Sequence, residues 1–144
     1  MSDIFSILYN ALTYNGDFIL SLINYLVLCI LILPFVLTEL KLKVRLWWTV
    51  LLFSFLLQAS FWFILHVQGI SIIWNALLGF LLLLLIRLKK QLSVKTQNWI
   101  YFSIAVAVLA NLYFGRHFPP ITSIAHAAAI VLGLFFHLIL KIEK

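Results

Sequence analysis

The sequence predicts an all-α polytopic membrane protein with about five transmembrane helices, an external N-terminus, a cytoplasmic C-terminus and a short N-terminal interfacial helix. Three observations lead there: the composition, the length of the apolar runs, and the alternation of basic loops between them. Hydrophobic residues make up 65% of the 144 and charged residues 10%, with a mean hydropathy of +1.17. A water-soluble domain of this size does not carry that composition on its surface. Five runs, at about 18–37, 46–66, 70–86, 98–114 and 120–140, approach the roughly 20 residues that a bilayer core requires. Nine of the ten Lys and Arg residues fall in alternate loops: Lys41, Lys43 and Arg45; Arg87, Lys89, Lys90 and Lys95; Lys141 and Lys144. Arg116, Asp3 and Asp17 lie on the other side, so the positive-inside rule puts the N-terminus out and the C-terminus in.

The segment before the first span, residues 1–17, is short and polar. Ile4, Phe5, Leu8, Ala11 and Leu12 give it a weak apolar side, and Asn15-Gly16-Asp17 reads as a turn. It is expected to lie along the outer interface. The opening "MSDIFSILYN" has no basic n-region or small-residue cleavage site, so the first span is expected to stay in the mature chain. Trp47, Trp48, Trp62 and Trp99 fall near span ends, where amphipathic rings anchor helices. The single Cys29 excludes an intramolecular disulfide. The net charge of +6 is explained by topology, and the basic residues form no patch with interleaved exposed aromatics, so no nucleic-acid partner is expected. The chain reads as a single transmembrane domain, 1–144, in contact with the lipid bilayer.

The polar residues inside the spans carry the functional argument. In "GISIIWNALLGF", residues 69–80, four-residue spacing puts Ser71, Asn75 and Gly79 on one helix face. Such a stripe points at protein or a cavity, because lipid cannot satisfy it. Spans one, three and five all enter from outside. Ser71 then lies in the first turn of span three. Asn24 and His126 each lie about six residues into their spans, roughly 9 Å at the helical rise. A hydroxyl, an imidazole and an amide thus share the outer third of the bilayer. Serine becomes a nucleophile when an imidazole takes its proton, and an amide donor can hold the oxyanion that follows. The alternative is that all three polar groups only join helices or bond to their own backbones. In span five, Ala125, Ala129 and Gly133 form a small-xxx-small face beside His126, suited to close helix approach. His66, His117 and His137 lie at other depths, so a haem or metal site is not expected, and no cofactor is assigned.

These features resemble the rhomboid family of intramembrane serine proteases. The family opens one helix with Gly-x-Ser-Gly and carries Ala-His-x-x-Gly-x-x-x-Gly two helices later. "GISI" followed by "IWNALLG" is similar to the first, with Gly69, Ser71, Ala76, Leu77 and Gly79; "AHAAAIVLG" is similar to the second, with Ala125, His126 and Gly133 kept and Ala129 in place of the middle glycine. The resemblance runs from span one to the C-terminus. It implies a Ser71–His126 catalytic dyad, Asn24 near the oxyanion, and a transmembrane or juxtamembrane polypeptide as substrate. Two departures stand out: Ile72 replaces the glycine after the serine, and Leu20 stands where a histidine precedes the asparagine by four residues. Losing the usual opening helix turns a six-span, N-in rhomboid into a five-span, N-out chain, as the charges require. The expected function is a rhomboid-like serine endopeptidase of a bacterial inner (plasma) membrane. The alternative is a non-catalytic binder of a membrane client, either a rhomboid-like pseudoprotease or a small immunity or accessory protein.

Overall fold

The structure, a computed structural model, describes residues 17–38, 44–66 and 70–140 together with Tyr9, and of residues 44–47 and 136–140 it describes only the backbone. The expected interfacial helix, apart from Tyr9 and Asp17, therefore lies outside the described residues. So do Gly69 and the side chains of Trp47 and His137.

The described elements are five α-helices and one short 3-10 turn: α1 Phe18–Leu37, α2 Val44–Leu65, α3 Ser71–Leu88 running into the 3-10 turn Lys89–Gln91, α4 Val94–His117 and α5 Pro120–Leu140. Four of them are long and apolar enough to cross a membrane; the described apolar stretch of α5, Pro120–Phe135, is shorter. Large apolar side chains such as Phe18, Ile64 and Leu109 face outward, which water would penalise and lipid accepts. An all-helical chain of this kind is suited to a polytopic membrane protein.

Local chemistry sets the helix ends. Asp17 caps α1, its carboxylate accepting the Leu20 N–H at 3.0 Å, the usual answer to an orphan first-turn donor. Ser93 does the same for α4, accepting from the Thr96 N–H. This explains why α4 begins four residues before the expected span at 98. Gln97 Nε2 donates to the carbonyls of Lys89 and Leu92, closing the tight turn between α3 and α4. At the end of α2, His66 takes φ 54° while its N–H still donates to the Trp62 carbonyl, a left-handed cap of the kind glycine normally supplies.

Pro34 lies inside α1. It has no N–H to offer the carbonyl four residues back, which is that of Ile30. Ser103 of α4 fills the gap: its hydroxyl lies 2.9 Å from the Ile30 oxygen and 2.9 Å from the Trp99 oxygen, sharing one hydrogen between them. A helix defect is thereby turned into an inter-helix bond, as membrane interiors require for a freed backbone group.

Helix α3 is the centre of the molecule. Of its apolar window, extended through the 3-10 turn, 72% is buried, against 22–28% for the other three helices of spanning length. It packs most extensively on α5, while α4 packs chiefly on α1.

Candidate functional site

The register of α3 against α5 comes from two glycines. A Cβ placed on Gly79 would collide with the backbone carbonyl of Ile130, and one placed on Gly133 would collide with that of Ala76. Each glycine thus sits against the carbonyl three residues before its counterpart, a reciprocal contact that only bare backbones allow. Ala125 and Ala129 are fully buried on the same helix. All four packing positions read from the sequence, Gly79, Ala125, Ala129 and Gly133, are therefore buried in or beside this contact.

With Gly79 level with Gly133, Ser71, eight residues earlier in α3, stands level with Ala125, eight residues earlier in α5 and the residue before His126. Two independent contacts agree. Ile72 clusters with Ala125 and Ala129, and the ring of Trp74 lies 5.8 Å from that of His126. The serine and histidine expected to form a dyad are brought to one level on the two most tightly packed helices.

The surrounding bonds are specific. Ser71 is the first residue of α3 and is fully buried. Its carbonyl accepts from Asn75 Nδ2 at 2.9 Å, and Asn75 Oδ1 accepts from Asn111 Nδ2 at 2.8 Å. An amide chain therefore ties the serine turn to α4. His126 is 5% exposed, and its Nε2 is buried with no hydrogen-bond partner. A Ser71 Oγ to His126 Nε2 bond is accordingly not formed in this conformation.

Asn24 is buried on α1, but its described bonds point elsewhere. Nδ2 donates to the Leu20 carbonyl at 2.9 Å, and Oδ1 accepts from Trp74 Nε1 at 2.7 Å. The residue expected to hold an oxyanion instead orients an indole. Ile72, which replaces a glycine of the family motif, is fully buried with Leu57, Ala125 and Ala129. Its side chain serves the packing of α2, α3 and α5.

Sequence reasoning missed Trp74 and Asn111. Trp74 is fully buried and meets three other helices: Asn24 of α1 by hydrogen bond, Phe114 of α4 at 6.5 Å between ring centroids, and His126 of α5. Asn111 was visible as an amide within the last turn of the fourth apolar run, a position that signals a polar partner. His117, by contrast, is exposed at the end of α4, with Nδ1 2.7 Å from the Tyr113 carbonyl.

Compared with family models, curated proteins and solved structures, the chain matches none.

Proposed function

We propose that this chain is a rhomboid-like intramembrane serine protease of a bacterial inner (plasma) membrane. In this reading five helices cross the bilayer, with the N-terminus outside and the C-terminus cytoplasmic. Ser71 is the nucleophile, His126 the general base, and the substrate a transmembrane or juxtamembrane polypeptide. The observation that carries the reading is the shared level of Ser71 and His126 across the glycine-to-carbonyl contact of α3 and α5. The buried Nε2 of His126 has no competing hydrogen-bond partner. Catalytic hydrogen bonds often tighten only when substrate is bound.

The chemistry follows the serine hydrolase pattern. Ser71 Oγ attacks the scissile carbonyl as its proton passes to His126 Nε2, giving a tetrahedral oxyanion. The bond to the leaving amine then breaks as His126 returns the proton to it. Water, deprotonated by the same nitrogen, hydrolyses the acyl ester. The cap of α3 at Ile70 makes no side-chain hydrogen bond, so the N–H groups of Ser71 and Ile72 at the start of the helix supply the partial positive charge that an oxyanion needs in this reading. Asn24 supports the site indirectly, by holding Trp74 against the His126 ring.

A second reading has its own support. Ile72 fills the place of the family's glycine with a buried side chain, and the Ser–His bond is not formed. Both favour a rhomboid-like binder that holds a membrane client without cutting it. A fluorophosphonate probe applied to the purified protein in detergent separates the two. The protease reading expects labelling of wild type that is lost in both Ser71→Ala and His126→Ala, because nucleophile and base act as a unit. A folded wild type that takes no label supports the binder.

A further inference from the structure

We infer that the crevice between α4 and α5 is a binding site for a membrane-partitioning molecule with an apolar body and a single hydroxyl group. The crevice encloses about 340 Å³. Its floor is Leu78 and Leu82 of α3, and its walls include Asn111 and Leu112 of α4 and His126 and Ala127 of α5. At the roughly 30 Å³ that a small group occupies in a liquid, it holds about a dozen heavy atoms. Helix α4 packs on α1 more than on α5. Leu112 and Ala127 are exposed at the lips, so the opening faces the lipid, and an occupant arrives through the membrane.

The polar demand of the walls selects the occupant. Asn111 has committed Nδ2 to Asn75, and its Oδ1 is buried with no donor. His126 Nε2 is buried with no partner of either kind. These are two unmatched atoms on two residues of a cavity whose one other polar lining residue, Ser123, is exposed at the lip; the remaining walls are apolar, where unmade hydrogen bonds are most costly. Oδ1 can only accept, so the occupant must donate; a neutral imidazole nitrogen donates or accepts according to tautomer. A hydroxyl offers one donor and two acceptor positions and serves both. A carboxylate has no proton for Asn111, and an alkane has nothing for either. The inference does not rest on the protease reading, because Ser71 does not line the cavity.

The test is photolabelling of the purified protein in detergent with a diazirine-bearing dodecanol, mapped by mass spectrometry. Label is expected at residues 108–112 and 123–130. 1-Dodecanol should compete about tenfold better than dodecanoate or dodecane, the upper range for one net hydrogen bond. Asn111→Leu should erase that preference. Ala127→Phe, at an exposed lip, should block labelling without touching a buried amide, which keeps the test decisive if Asn111→Leu fails to fold. Equal competition by alcohol, carboxylate and alkane overturns the inference. So does label spread evenly over the outward helix surfaces, which would mean annular contact only.

Discussion

Trp74 joins four helices through one side chain. Its indole N–H is buried and has one described acceptor, Asn24 Oδ1. Asn24→Leu should therefore cost about 1–3 kcal/mol, the price of a buried donor left unpaired, read as a lower midpoint of thermal unfolding in detergent. Trp74→Phe combined with Asn24→Leu should recover part of that loss, since removing both partners leaves no orphan. Ile72→Gly should destabilise by about 3 kcal/mol or more, because it empties a packed site and adds backbone freedom. His66 is the opposite case. A left-handed conformation costs a non-glycine residue about 1–2 kcal/mol, so His66→Gly should raise the unfolding midpoint, less the entropy that glycine loses on folding. The sequence marked Asn24 as an amide inside an apolar run, which must find a partner away from lipid, and the structure buries it. Its partner was not legible, because Trp74 lies fifty residues away, and only helix pairing decides which of two aligned polar groups an amide meets.

Between helices, two devices replace the hydrophobic drive that lipid removes. One is close approach: Gly79 and Gly133 leave no room for a methyl group. Gly133→Leu, or the milder Gly79→Ala, should separate α3 from α5 at a cost of about 1–3 kcal/mol or more. The loss shows as reduced yield and a lower thermal midpoint in detergent; an unchanged midpoint would mean that the backbones do not meet there. The other device is the Ser103 hydroxyl on the carbonyl that Pro34 frees. Ser103→Ala leaves that carbonyl bare and should cost about 1–3 kcal/mol, whereas the double change with Pro34→Ala restores the helix bond and should cost less. The small-residue face was readable in the sequence because four-residue spacing on a helix marks one side. The Pro34 and Ser103 match was not, since neither residue announces which helix it faces.

For the molecule as a whole, the alternation of charge predicts the side on which each loop emerges. Reporter fusions after residues 42, 92 and 144 should all read cytoplasmic. An external reading at 92 would invert α3 and move Ser71 to the inner half of the bilayer. Helices of spanning length were legible because apolar runs and their caps are local, and the structure gives α1 the bounds expected of span one. The cavity beside His126 was not, because it arises from α4 packing on α1 more than on α5, which no single run encodes.

The Ser103 bond also has a mechanical meaning. It ties α1 to α4, as the glycine contacts tie α3 to α5, so the bundle contains two paired units. Helix α2 belongs to neither pair: it has the smallest buried share among the helices of spanning length, and its packing is mainly on α3. Local opening draws on the least supported element. Amide deuteration should therefore appear in α2 before the paired helices, and any motion that admits a bulky guest to the interior would swing that helix as a door on a rigid frame.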